Sequence, residues 1–311
     1  MVKLGIWLNL VRAKYLILAI ILVSIGTTLA FLYKPSGYEI PLTDIILVYL
    51  GVIFAHASIN LLNEYSDFEA GVEEISIRSP FTGGKNYITT GEVPPYAVLV
   101  AALSFLLLAM LTGIYFALTS HIGILIFMLI GGISILSYTD YLTRFLANEL
   151  ISGFILGTIV ILGTYLALIH VPYVPLLAAI PVDVFLISLI PGFLTALLLI
   201  IVRFPIMEKE SRSGRKSLSV VLGKKKAAAL YSIGAAITFL LVVLLPVMGV
   251  SSYWIYLALL PLPYILANIF IRLKTIHNAE ELIGALRSNV IVILITNILI
   301  FLAVMLQVLQ N

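Results

Sequence analysis

An asparagine and an aspartate four residues apart are the first side chains in this sequence whose types and spacing could do chemistry. Asn63 and Asp67 directly continue an apolar run that ends at Leu62. If a helix persists through them, both lie on one face and direct an amide oxygen and a carboxylate at one point. Such oxygen ligands suit Mg²⁺, which completes its shell with water and substrate phosphate. The alternative is a polar helix end that is wetted at an interface.

A glycine pair follows in the next loop, between two basic residues. Gly83 and Gly84 lie between Arg78 and Lys85. Glycines let backbone N–H groups approach a phosphate closely, and the two cations could offset its charge. Gly-Gly beside a proline is also found in ordinary loops, so this segment alone is a weak indication of a phosphate site.

A second charged segment follows another apolar run and begins at Arg203. An ionisable residue at the end of an apolar helix is either a functional group or a side chain that snorkels to the interface. The later lysines 224–226 precede an apolar span and are most simply a topology anchor.

Two further segments carry weaker signals. In the loop before residue 148, Arg144 is the only base, and Tyr138 could donate a hydrogen bond or belong to an interfacial aromatic belt. Gly153 and Gly157 form a GxxxG pattern, which is more typical of close helix packing than of a site.

The composition shows which elements must position these residues. Of the 311 residues, 62% are hydrophobic and only 11% are charged, which excludes a water-soluble globule. Apolar runs of roughly 20 residues recur along the chain and leave no room for a separate soluble domain. We therefore predict an all-α integral membrane protein, a single domain over residues 1–311. Its first apolar run has no convincing cleavage site, so we expect a retained helix rather than a signal peptide.

We predict a bundle of about nine transmembrane helices. The expected spans are 13–33, 43–64, 95–119, 121–138, 148–169, 182–204, 225–248, 252–272 and 288–309.

The charges separate cleanly between the two sides when the loops are assigned alternately. Every basic residue except Lys34 falls on one side, and so does every acidic residue except Glu39, Asp44 and Asp183. The positive-inside bias places the N-terminus and the motif-bearing cap loops in the cytoplasm, and the C-terminus outside the cell membrane.

Together these segments resemble the UbiA superfamily of intramembrane prenyltransferases, in its menaquinone-type branch. Asn63, Asp67 and Glu73 match its first Asp-rich motif, with Glu73 in place of the last Asp. Residues 79–84 match its Ser-Pro-Phe-Thr-Gly-Gly loop, and residues 214–223 match the segment after its second motif. The resemblance implies a nine-helix bundle in which two motifs, after helices two and six, bind Mg²⁺ and a prenyl diphosphate.

The second motif departs from the family pattern. Val202, Arg203 and Ile206 occupy positions where relatives commonly carry Asn, Glu and Asp, and carboxylates remain only at Glu208 and Glu210. The usual second Mg²⁺ site is therefore expected to be weakened or lost. Glu210 could hold a remnant of it, or the Arg203 guanidinium could supply the missing positive charge to the diphosphate.

We expect Mg²⁺-dependent transfer of a prenyl chain from a prenyl diphosphate to a lipophilic, aromatic quinone-precursor acceptor, with membrane lipid and no nucleic acid as a partner. The alternative is a catalytically impaired lipid-binding or transport protein of the same fold. A transporter should carry ionisable groups near the bilayer midplane, and the near absence of such groups favours the enzyme. The expected catalytic residues are Asn63, Asp67, Tyr138 and Arg144; the diphosphate-binding residues Arg78, Lys85, Arg203 and Lys216; and the metal ligands Asn63, Asp67, Glu73 and Glu210.

Overall fold

Apolar segments of this length fold as helices because, in hydrocarbon, each backbone N–H and C=O must find its partner within its own segment. The computed structural model describes residues 3–69, 86–137, 148–204, 207, 217–265 and 279–310. Its α-helices are α1 (Leu4–Leu10), α2 (Leu16–Tyr33), α3 (Leu42–Glu69), α4 (Pro95–Thr119), α5 (Ile124–Ser137), α6 (Asn148–Phe154), α7 (Val160–Ile169), α8 (Leu176–Ala179), α9 (Val182–Val202), α10 (Leu218–Val247), α11 (Leu262–Tyr264) and α12 (Ala279–Gln310).

The prediction of an all-α membrane protein is confirmed. In the described part of the chain, 7 helices are long and apolar enough to cross a membrane, and α5 adds a shorter apolar stretch over Ile124–Ile135. A π-helical turn (Ile155–Ile159) joins α6 to α7, so that the three form one continuous span. The predicted span 252–272 begins as a 3₁₀-helix (Tyr253–Leu259), and its part beyond residue 265 lies outside the described residues. The predicted number of nine helices is therefore approximate.

The span formed by α6 and α7 lies unusually close to α9. A Cβ added to Gly153 would lie 2.3 Å from the Ala196 Cα, and one added to Gly157 would lie 2.6 Å from the Gly192 Cα. The backbones can approach this closely only because these positions lack side chains. The prediction that Gly153 and Gly157 serve helix packing is confirmed.

Side-chain contacts define two ends of the bundle. The N-terminal segment before α2 binds the last turns of α3 through an ion pair between Arg12 and Glu64. At the other end of α2, the Tyr33 hydroxyl donates to Asp183 at the start of α9, with a distance of 2.9 Å. Because α9 starts at that opposite end, its last residue, Val202, lies at the same end as the end of α3. We call the end of the bundle that carries Asn63, Asp67 and Arg203 the motif end.

A glycine interrupts α10 near its start. Gly223 has φ 74° and ψ 161°, a conformation that residues with a Cβ rarely adopt. The chain therefore makes a short helical turn after Ser217, breaks at Gly223, and resumes as the long apolar helix at the three lysines. This break explains why the hydropathy pattern placed the start of the span near residue 225.

Candidate active site

The last turns of α3 carry the two residues of the first motif. The helix continues without a break to Glu69, so Asn63 and Asp67 lie one turn apart on the same face, as the sequence predicted. Both side chains are partly exposed, and both already contact other groups. An amide oxygen and a carboxylate in this arrangement suit a hard divalent cation such as Mg²⁺. They supply only part of a coordination shell, and the rest would come from water, phosphate or other residues.

The N-terminal segment fixes this end of α3. Glu64 is buried, with 1% of its side chain exposed, and its Oε1 accepts a hydrogen bond of 2.8 Å from an Arg12 terminal nitrogen. The Asn60 amide donates to the Val11 carbonyl oxygen at 2.9 Å. Two polar contacts on neighbouring turns restrict rotation and fraying of the helix end, and Asn63 lies between them. From the sequence alone, Arg12 and Glu64 counted only as charges, and this contact was not predicted.

The end of α9 carries the second motif. Val202 is the last residue of the helix, and Arg203 follows it with a partly buried side chain that contacts other groups. Arg203 therefore lies at the same end of the bundle as Asn63 and Asp67, and its role toward the diphosphate stays a prediction.

Contacts with the start of α10 hold this second helix end in place. The Ser219 hydroxyl donates to the Ile200 carbonyl oxygen at 3.2 Å. The buried Glu149 carboxylate accepts the Leu218 backbone N–H, at 3.2 and 3.3 Å to its two oxygens. A carboxylate at a helix start satisfies an otherwise unpaired N–H and interacts favourably with the helix dipole.

The other candidate residues lie outside the described residues: Tyr138, Arg144, Arg78, Lys85, Lys216, Glu73 and Glu210. Their assigned roles stay predictions. Among the side chains that the structure does describe, no three His, Asp or Glu residues cluster closely enough to hold a metal ion. Asn63 and Asp67 are thus the part of the predicted metal site that has a described geometry.

An apolar cavity lies deeper in the bundle than the motif residues. It offers about 210 Å³ to the centre of a water-sized molecule, and α3, α4, α5 and the α6–α7 span line it. On α3 its lining runs from Val48 to Ile59, which is further into the membrane than Asn63. The π-helical turn contributes Ile155, Leu156 and Ile159, and π-helical turns often occur at functional sites.

A histidine lines this largely apolar cavity. The His56 Nε2 atom is buried and has no hydrogen-bond partner, and the Thr164 hydroxyl, which also lines the cavity, is buried and unpaired as well. His56 and Asn63 are two helical turns apart and share the face of α3. His56 was not predicted from the sequence. The signal that could have found it is the spacing of His56, Asn60, Asn63 and Asp67, which forms one polar stripe within an apolar run.

Comparison with known families identifies the bundle. The model of the UbiA prenyltransferase family matches residues 19–291. The chain belongs to the UbiA prenyltransferase family. It is therefore a prenyltransferase and a multi-pass membrane protein. A curated relative of this UbiA family member is the 1,4-dihydroxy-2-naphthoate octaprenyltransferase of Bacillus subtilis (strain 168), 25% identical over 269 residues that cover 82% of this chain and 78% of that protein.

Solved structures of UbiA homologues share the fold. The apo structure from Aeropyrum pernix K1 has a TM-score of 0.72 at 17% identity and covers 94% of this chain and 98% of its own. A homologue from Archaeoglobus fulgidus bound to GPP and Mg²⁺ has a TM-score of 0.59 at 17% identity, covering 94% of this chain and 99% of its own. At these sequence identities the similarity establishes the fold alone, and the chemistry must be argued from the residues of this chain.

Proposed function

We propose that this UbiA family member transfers a prenyl chain from a prenyl diphosphate to a lipophilic aromatic acceptor, a quinone precursor, in a Mg²⁺-dependent reaction at the motif end. The observation that carries the proposal is that α3, which carries the Asn63–Asp67 pair, also lines a large apolar cavity. Prenyl transfer needs both parts, because the diphosphate requires charged groups and the reacting carbons require apolar surroundings.

The motif end supplies the polar half of the site. Asn63 and Asp67 present oxygen atoms on one face of α3, and the Arg12–Glu64 pair holds that helix end in place. Bound Mg²⁺ would supply the positive charge that stabilises the departing diphosphate. Arg203, at the end of α9, adds a guanidinium that can donate charge-assisted hydrogen bonds to phosphate oxygens.

The apolar cavity supplies the apolar half of the site. Cleavage of an allylic diphosphate leaves a carbocation that water would capture, so the reaction needs a chamber that excludes water. The walls of the cavity are almost entirely apolar, which disfavours water inside it. The acceptor class is supported by the naphthoate prenyltransferase from Bacillus subtilis, which matches most of this chain.

Orientation in the membrane follows from the charge pattern. We place the protein in the cell membrane with its N-terminus and the motif end on the cytoplasmic side and its C-terminus outside, since nearly all basic residues fall on the motif side. A cytoplasmic motif end would also expose the site to soluble Mg²⁺.

A transfer assay tests the proposal. Purified protein with geranylgeranyl diphosphate and 1,4-dihydroxy-2-naphthoate should form a prenylated product only when Mg²⁺ is present. Asp67→Asn keeps the shape of the side chain but removes its charge, so we expect at least a hundredfold loss of activity with an unchanged melting temperature. The neighbouring Glu69→Gln is the matched control, because Glu69 is exposed and the same charge is removed. Full activity of Asp67→Asn, or equal losses in both variants, would contradict the assignment.

A further inference from the structure

The Nε2 atom of His56 is buried in surroundings that do not suit a purely structural polar group. It lies in the middle of α3, and its Nε2 atom has neither a hydrogen-bond partner nor accessible surface. Polar atoms in such positions are normally paired, because burying one without a partner is unfavourable. Polar residues within membrane spans that face an internal cavity are candidate functional groups.

The cavity contains a second unpaired atom, the Thr164 hydroxyl, on the opposing α7. A hydrocarbon tail in the cavity would leave both polar atoms unpaired. A ligand with an apolar body and an oxygen substituent would pair with at least one of them. The lining therefore favours an aromatic ring that carries a hydroxyl group over a plain isoprenoid chain.

The depth of His56 is consistent with such a ring. His56 lies two turns from Asn63, about 10 Å along the helix axis. A bicyclic ring placed directly beneath a diphosphate held at Asn63 reaches this depth. A neutral imidazole both donates and accepts hydrogen bonds, and so does a phenolic hydroxyl, so the two can pair in either tautomer of the histidine.

We propose that His56 is a specificity-determining residue that hydrogen-bonds a hydroxyl group of the aromatic acceptor in the cavity between α3, α4, α5 and the α6–α7 span. This inference rests on the proposed function, because it names the residue that selects the acceptor for the same reaction. In this arrangement the prenyl tail lies outside this cavity.

Measuring the affinity for the acceptor tests the proposed role of His56 without requiring turnover. Calorimetric titration with 1,4-dihydroxy-2-naphthoate should show about tenfold weaker binding to His56→Leu, the loss expected for one hydrogen bond, and near-parental binding to His56→Gln. His56→Leu removes an unpaired polar atom, so its melting temperature should be equal to or above that of the parent. Ser58→Ala is the control: Ser58 carries another buried, unpaired oxygen on α3 but does not line the cavity, and its loss should leave acceptor binding unchanged.

Two analogues of the acceptor, each lacking one of its two hydroxyl groups, identify the hydroxyl group that His56 contacts. The analogue that lacks this group should bind the parent and His56→Leu with equal affinity, because it cannot form the hydrogen bond to His56. Equal acceptor affinity of parent and His56→Leu overturns the inference, and so does a parent that binds no acceptor. A rise in KM for geranylgeranyl diphosphate in His56→Leu, with acceptor affinity unchanged, also overturns it and assigns the cavity to the tail. If the parent binds acceptor through His56 but transfers no prenyl group, the proposed function fails, whereas the hydrogen bond between His56 and the acceptor stands.

Discussion

The ion pair between Arg12 and Glu64 should control the stability of the motif end. Replacing Arg12 by Ala removes one cation from contact with a buried carboxylate, which is 1% exposed. Removing one member of a buried pair typically costs about 3–5 kcal/mol. Arg12 is itself 25% exposed, so water compensates in part, and we expect a loss near the lower limit, about 3 kcal/mol. That corresponds to a factor of roughly 10² in the equilibrium for opening this end of the bundle.

Substitutions at Arg12 also change backbone strain, and this contribution to stability can be separated from that of the ion pair. Arg12 has φ 54° and ψ 47°, a left-handed conformation that costs a non-glycine residue about 1 kcal/mol. Arg12→Gly removes this strain together with the ion pair, whereas Arg12→Ala removes only the ion pair. If the ion pair contributes more than the strain, both variants are less stable than the parent, and Arg12→Gly loses about 1 kcal/mol less unfolding free energy than Arg12→Ala.

Thermal unfolding in detergent and the KM for prenyl diphosphate are the two measurements. Both Arg12 variants should melt at lower temperature and show a raised KM, because Asn63 lies on the helix end that the pair holds. Lys14→Ala removes the same charge from the same segment at an exposed position and should change neither quantity. An Arg12→Gly variant more stable than the parent, or a Lys14→Ala variant as damaged as Arg12→Ala, would refute the reasoning.

Four other predictions address the helix packing, the second motif and the topology. Gly157→Leu would force a side chain against the backbone of α9 and should destabilise the fold by about 3 kcal/mol or more, measured by thermal unfolding. Arg203→Ala should weaken binding of a non-hydrolysable prenyl diphosphate about tenfold in calorimetry, as loss of a charge-assisted contact does; unchanged affinity would mean that the side chain merely snorkels. Ile206→Asp, at a residue outside the described ones, should restore an oxygen ligand and tighten Mg²⁺ binding in the same titration, whereas two equally tight Mg²⁺ ions in the parent would contradict a weakened second site. Cysteines introduced at Ser36 and Ser213 should react with impermeant reagents from opposite sides of the membrane, and labelling from one side would defeat the predicted topology.

Properties of single segments were predictable from the sequence. The long apolar helices were expected because a bilayer demands a run of roughly 20 apolar residues, and this demand acts on each segment separately. The shared face of Asn63 and Asp67 follows from the helical period, and the structure confirms it. The close contact at Gly153 and Gly157 could likewise be expected from their spacing, although their partners on α9 could not.

Relations between segments were decided by the tertiary structure. The pairing of Arg12 with Glu64 joins residues 52 positions apart, and the capping of α10 by Glu149 joins residues 69 positions apart. The candidate role of His56 depends on a cavity that α4, α5 and α7 line together with α3, and the sequence does not show that these helices are neighbours. The physical reason is that lipid-facing and helix-facing surfaces are both apolar, so hydropathy determines which segments cross the membrane but carries little information about which helices become neighbours.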